Sequence, residues 1–377
     1  MGINDIILYI MLILMAVGGV DYFLGKKFGL GIKYEEGFMA MGALTMSMAG
    51  AICIAPVLGR VLEPILAPIF QLVGASPAMF ATSILANDMG GYPLAMSLAG
   101  VDLTNMAAAS QEALDAGRFA GLILGSMMGA TVVFSIPVGL GIIDMNDRPF
   151  LAKGILIGFI TIPLGCLAGG AVAGYGFGWM LQNLIPVIIF AILVALGLGL
   201  AQKFMITLFL WFGKFVVAFL TIALIIAGVE GATGGNITLI QGMTPISESF
   251  AIVGSIAVFL AGAFSLVYLL TRYLGGPLEK VGDLLGMNKD AAAGMVATLA
   301  NNIAMFSILK NMDDRGKVIN VAFAVSAAFV FGDHLGFTAG IDKNMIAAVI
   351  AGKLTGGITA VIIAYFITPK GEKTIKS

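Results

Sequence analysis

Charge is what this chain has least of. Only 11% of its 377 residues are charged and 59% are hydrophobic, where a soluble domain carries about 25% charged residues. An all-helical soluble protein needs a polar face on most helices, and few of these stretches have one. The net charge of −1 leaves no basic footprint for nucleic acid. Cysteine occurs twice and histidine once. Cys53 and Cys166 lie in apolar runs, where packing is their expected role and no disulfide is needed. One histidine beside one aspartate falls far short of a metal constellation. No GxxxxGK[ST] loop occurs, which argues against an ATP-driven pump in one chain. No cofactor motif and no periodic oxygen-lined channel filter are visible. No nucleophile–base pair points to an enzyme.

What the chain has is long apolar runs, with a mean hydropathy of +1.04. Residues 5–20, 37–58, 119–143, 154–173, 184–200, 205–229, 249–270, 317–332 and 345–366 carry no more than an isolated charge each. A helix needs roughly 20 residues to cross the hydrocarbon core. With broken segments around 77–99 and 291–309, the runs predict an all-α polytopic membrane protein of about eleven crossings. Glycine (51) and methionine (22) are abundant, and glycine permits close helix contact and local breaks in membranes. The start of the chain carries Asp5 rather than a basic flank, so it reads as a retained first helix and not a secretory signal.

The chain also repeats itself. Residues 36–74 align without a gap on 248–286, and twelve of the 39 pairs are identical. Among them are Glu36/Glu248, Gly42/Gly254, Ala49-Gly50-Ala51 against Ala261-Gly262-Ala263, Arg60/Arg272 and Gly74/Gly286. Leu85-Ala86-Asn87-Asp88 then meets Leu299-Ala300-Asn301-Asn302. The pattern predicts two internally homologous halves with broken or re-entrant helices: residues 1–175, a connector helix at 176–204, and residues 205–377. Basic residues in 25–36, 272–289, 310–317 and after Lys370 cannot share one side if every segment crosses. Some segment is then re-entrant, or 183–229 is not two full spans. Inverted repeats are common in transporters, and an inverted pair is the weakly favoured arrangement. Pro64 and Pro68, behind Pro56, make 60–74 an expected interfacial or re-entrant piece rather than a straight helix. The polar stretch 101–118 is an expected loop or short surface helix.

Polar residues inside apolar runs are the candidate site. Asp88 leads, in SILANDMGGYPLAM. A carboxylate at mid-membrane costs at least about 2.5 kcal/mol and needs a cation, a proton, a helix end or water. Gly90, Gly91 and Pro93 supply a helix break beside it, freeing amides and carbonyls that can line a site. An ordinary turn between helices is the bland alternative. Asn301 and Asn302 hold the matching place and, with Asn87, can donate or accept from an amine or hydroxyl; interhelical bonding is their structural alternative. Asp333 and His334, in FVFGDHLGF, align with Val133 and Phe134. The pair is an addition to one half, and either a proton or cation relay or a satisfied structural pair. Glu36 and Glu248 open matched helices, where the helix field favours a carboxylate. Glu248 also joins the candidate substrate ligands, as does Tyr92, whose aromatic face can hold an organic cation. Asp21 is expected at the interface, and Arg60 and Arg272 as interfacial anchors. Carboxylates and amides with few basic groups favour a small cation or neutral polar solute over an anion.

The runs GINDIILYIMLILMAVGGVDYFLG, YEEGFMAMGALTMSMAGAICIAPVLG, SILANDMGGYPLAM, VATLANNIAMFSILKNMDDRGK and FVFGDHLGFTAG resemble the bacterial ethanolamine utilisation transporter (ethanolamine permease) family over essentially the whole chain. The resemblance implies a multi-pass inner (cytoplasmic) membrane protein that moves ethanolamine into the cell. It carries over no list of site residues. Ethanolamine near neutral pH is an ammonium with a vicinal hydroxyl, which suits Asp88 for the first and Asn87, Asn301 or Asn302 for the second. The leading reading is a facilitator or secondary carrier. A channel-like pore for neutral amine or ammonia, and a non-transporting sensor or structural protein, are the alternatives. Glycine-rich faces allow a homodimer without marking an interface.

Overall fold

Apolar segments in lipid must satisfy every backbone amide and carbonyl internally, and the helix does so within one segment. The computed structural model describes residues 2–369, and among them there are helices and no strand. The basic tail from Lys370 lies outside the described residues. In chain order the helices are Ile3–Phe23 (α1), Leu30–Leu44 (α2), Gly50–Gln71 (α3), Ala78–Ile84 (α4), Tyr92–Leu98 (α5), Gln111–Arg118 (α6), Ile136–Ile142 (α7) and Arg148–Val172 (α8). They continue as Phe177–Leu200 (α9), Gln202–Ala232 (α10), Ile246–Leu285 (α11), Lys289–Ala300 (α12), Asn302–Ile308 (α13), Asp314–Ala327 (α14), Asp333–Ile341 (α15) and Ile346–Ile367 (α16). Eight continuous helical stretches among the described residues are long and apolar enough to cross a membrane. They include α9 and α10, so 183–229 lies in two long helices.

The turn from α1 to α2 is built by Asp21. Its buried carboxylate accepts from the N–H of Phe28 at 3.0 Å and of Gly31 at 2.7 Å. Asp21, expected at the interface, caps this turn. Because this turn starts α2 at Leu30, Glu36 lies inside the helix rather than opening it, 2.6 Å from Lys33. The expected piece at 60–74 is also corrected. From Leu30 to Gln71 the chain is one helical run of 42 residues with a wider π turn at Thr45–Ala49. Pro56, Pro64 and Pro68 sit inside it, as membrane helices allow when neighbours re-satisfy the freed carbonyls. The stretch 101–118 holds a short turn at Met106–Ala108 and α6, which Ser110 caps by accepting from the N–H of Ala113.

Three helices are broken in mid-course. Between α4 and α5 the chain is extended at Leu85 and Ala86, then makes a wide turn at Asn87–Gly91. Gly90 there has φ +92°, a value that favours glycine. The N–H groups of Met89 and Gly91 both donate to the Ala86 carbonyl. Between α12 and α13 only Asn301 is extended. Between α14 and α15 the break covers 328–332, with Phe329 at φ +61°. The run 317–332 was expected to be unbroken, and no proline marks the interruption. Tertiary pairing accounts for it: the N–H of Phe329 donates to the Thr298 carbonyl and that of Phe331 to the Leu299 carbonyl, both at 3.1 Å. The two later breaks thus satisfy each other.

The first break lies in a groove made by glycine. Residues 119–135 are wound more widely than an α-helix, and Gly121, Gly125 and Gly129 form a stripe along them. A side chain at Gly121 would meet the Tyr92 ring, at Gly125 Thr82 and the Asn87 amide, and at Gly129 the Leu85 carbonyl. Small residues at this spacing let backbones approach in membranes. Elsewhere Gly50 of α3 meets the Leu220 carbonyl of α10, and the aligned Gly262 of α11 meets the Met11 carbonyl of α1.

Candidate functional site

The wide turn at 87–91 fixes a polar centre inside the bundle. Asn87 is fully buried, and neither its amide nitrogen nor its amide oxygen has a partner. An unpaired buried amide costs roughly 1–3 kcal/mol, so an arrangement that leaves both atoms unpaired is one a ligand can improve. Asn87 lines a cavity of about 160 Å³ together with Gly90, Tyr92 and Pro93 of the same break. Met48, Ile52, Ile252 and Phe337 form apolar walls, and Gly340 and Ile341 close the end of α15. The Tyr92 hydroxyl is also buried and unpartnered, and its ring meets Phe337 edge-on at 6.0 Å between centroids. No charged side chain lines this cavity.

Asp88 lies one residue on and turns elsewhere. Its side chain keeps 17% exposure, and Oδ1 is 4.0 Å from His334 Nε2. His334 is in the first turn of α15 and 2% exposed. Its Nδ1 lies 3.0 Å from Nζ of Lys353 in α16, which is 1% exposed and also donates to the Ser126 carbonyl. Asp333 is the neighbouring residue, at the start of α15. His334 thus lies beside Asp88, with Asp333 next to it in the chain, and Lys353, which the sequence reading did not single out, joins them through His334. Lys353 is the one basic side chain among these groups. Its signal was present, as a lone lysine in an apolar run. The glycine stripe at 121, 125 and 129 was another unread signal.

The remaining candidates are placed apart. Asn301 caps α13, its side chain accepting from the N–H of Ile303 at 2.7 Å. Asn302 is buried and donates to the Ser135 hydroxyl at 2.7 Å, leaving its oxygen unpartnered. Neither lines the Asn87 cavity. Glu248 is in the first turn of α11, as expected, but faces a second cavity of about 460 Å³ with Arg60, Asp102 and Thr244. Arg60 there donates to the carbonyls of Gln241 and Gly242. The two cavities share Pro93 and Leu103 in their walls, so the larger one adjoins the smaller at the broken helix. Among the described residues no three His, Cys, Asp or Glu side chains gather as a metal site.

A model of the ethanolamine utilisation protein family, EutH, matches residues 3–367. A protein of Listeria monocytogenes named probable ethanolamine permease EutH is 54% identical over 377 residues, covering 100% of this chain and 97% of that one. Proteins of the same name from Escherichia coli and Salmonella typhimurium are each 48% identical, covering 99% of this chain and 98% and 97% of theirs. No solved structure matches the chain. A family model that spans nearly every residue, and relatives that are close to half identical end to end, agree: the chain belongs to the EutH ethanolamine utilisation protein family.

Proposed function

We propose that this protein carries ethanolamine across the bacterial cytoplasmic membrane, by a facilitator or secondary-carrier cycle, and binds it at the break between α4 and α5. One observation carries the reading: the buried Asn87 amide, unpaired at both atoms, on a cavity of about 160 Å³ beside the Asp88 carboxylate. A two-carbon amino alcohol offers a donor and an acceptor at that scale. In this reading the hydroxyl bonds Asn87 and Tyr92, and the ammonium turns toward Asp88. The larger cavity is the vestibule, where Glu248 and Asp102 outnumber Arg60 and leave a net negative charge that attracts a cation. Asp333 and His334 serve as the relay that answers the charge on Asp88. Asn301 and Asn302 hold the matching break in shape.

The two halves act as repeats that move against each other. Support comes from the reciprocal packing of α1 on α11 and α10 on α3 through the aligned Gly262 and Gly50. If the three broken pairs, 78–98, 289–308 and 314–341, each cross once, they and the eight continuous stretches make eleven. Helix α9 joins the two halves.

Uptake of labelled ethanolamine into proteoliposomes tests the reading. Saturable uptake by the wild type is expected; its absence in verified, inserted protein contradicts it. A second reading, passage of the neutral amine through a channel-like pore, is favoured by the uncharged lining of the smaller cavity. Under that reading the half-saturating total ethanolamine falls about tenfold per unit rise in pH while the amine is mostly protonated. Under the ammonium reading it stays flat.

A further inference from the structure

Three elements bring ionisable side chains together inside the bundle: Asp88 from the first break, His334 from the start of α15 with Asp333 preceding it in the chain, and Lys353 from the third turn of α16. With Lys353 as an ammonium, Nζ donates to His334 Nδ1 across 3.0 Å. That leaves the imidazole's own proton on Nε2, facing Asp88 Oδ1 at 4.0 Å. His334 is then neutral, and two carboxylates share one fixed cation. Asp333 has no ion pair among the described residues. Elsewhere Asp342 is paired with Arg118 at 2.7 Å and Lys317 with Asp147 at 2.8 Å, while the buried Asp21 is held by backbone N–H groups and the buried Arg315 by the Tyr365 carbonyl. Buried charges are ordinarily paired. The helix N-termini at Asp88 and Asp333 ease the imbalance but supply no charge that can come and go.

We propose that Asp88, Asp333, His334 and Lys353 form one buried charge unit that is a single positive charge short. Lys353 is its fixed counter-ion, and the vacancy is filled by the ammonium of the substrate or by a proton that accompanies a neutral substrate. The proposal rests on the transport reading and deepens it. It makes Lys353 a positioning residue that sets how many positive charges the site admits, and gives the additions to the second half a common purpose. The aligned positions in the first half, Val133, Phe134 and Ile155, carry no charge.

Charge-balance variants of the purified full chain test this. Lys353→Met leaves two unmatched carboxylates, Asp333→Asn leaves no vacancy, and the double variant restores one vacancy. Each single variant is expected to lose ethanolamine uptake at least about tenfold, and the double variant to regain most of it. The thermal midpoint of Lys353→Met falls by roughly 5–10 °C, and the double variant recovers most of that loss. Asp88→Asn with Lys353→Met has the same formal charge as the rescuing pair but lacks the ligand, and stays inactive. A double variant no better than the worse single in both uptake and midpoint overturns the proposal, as does a Lys353→Met protein equal to wild type. Failure of the wild type to take up ethanolamine sinks the transport reading, while the midpoint rescue still judges the charge unit. Ethane-1,2-diol, which has no amine, separates the two sources. Its binding with uptake of one proton identifies the proton, and its failure to bind identifies the ammonium.

Discussion

The two matched breaks, at 85–91 and at 301, use the same residue types for opposite ends. In the second, most of the polar groups are spent on structure, the Asn302 oxygen excepted. Asn301 caps its own helix, Asn302 bonds Ser135, and nearby carbonyls accept from the neighbouring break at Phe329 and Phe331. In the first, the Asn87 side chain bonds nothing and faces a cavity, while Asp88 faces His334. Two segments that align in sequence therefore need not share their chemistry. One can be tied down while the other is left open, and the open one is where a ligand gains most.

Substitutions can break this contrast. The largest effect is expected from Asp88→Asn, which keeps shape and removes the charge. Losing a charge-assisted bond of about 1.5–3 kcal/mol lowers uptake roughly 10- to 150-fold in proteoliposomes, with the folded fraction unchanged. Retained wild-type uptake would remove Asp88 as the cation's ligand. Next comes Gly129→Val, which drives a branched side chain into the Leu85 carbonyl. It is expected to destabilise the first break by about 1–3 kcal/mol, read as a lowered thermal midpoint and lost uptake. A neutral outcome would mean the groove is not needed to hold the turn. Tyr92→Phe removes a hydroxyl with no protein partner. The account expects stability to hold or rise slightly, and the half-saturating concentration to increase by roughly 3- to 10-fold; an unchanged value would take the hydroxyl out of the site. The smallest functional effect is expected at Asn301→Ala. Losing a helix cap costs about 0.5–2 kcal/mol of stability while affinity for ethanolamine is unchanged. A selective loss of affinity there would move the site to the second break.

Much of the first break was legible in the sequence because its cause is local. Gly90-Gly91 and Pro93 disfavour helix whatever surrounds them, and Asp88 is expensive in lipid wherever it points. The break at 328–332 was not legible, because its backbone is held by Thr298 and Leu299, which are remote in sequence. The reverse error arose at Pro64 and Pro68, where a local helix breaker is absorbed by a continuous membrane helix. Lys353 went unread because a single charge in an apolar run is compatible with a side chain that reaches the interface. Eight residues into a 22-residue helix and 1% exposed, Lys353 instead turns inward to His334 and the Ser126 carbonyl. By alignment Asn301 matches Asn87 and Asn302 matches Asp88; which side chain is left unpaired is a property of the packed structure and not of the motif.

Calorimetric titration of ethanolamine into the purified chain in one detergent, comparing Asn87→Ala with Asn302→Ala, tests the contrast most directly. The account expects Asn87→Ala to weaken binding by roughly 3- to 10-fold or more. It expects Asn302→Ala to bind as wild type while losing about 1 kcal/mol of stability with its Ser135 bond. Equal weakening by both, or weakening by Asn302→Ala alone, would contradict it.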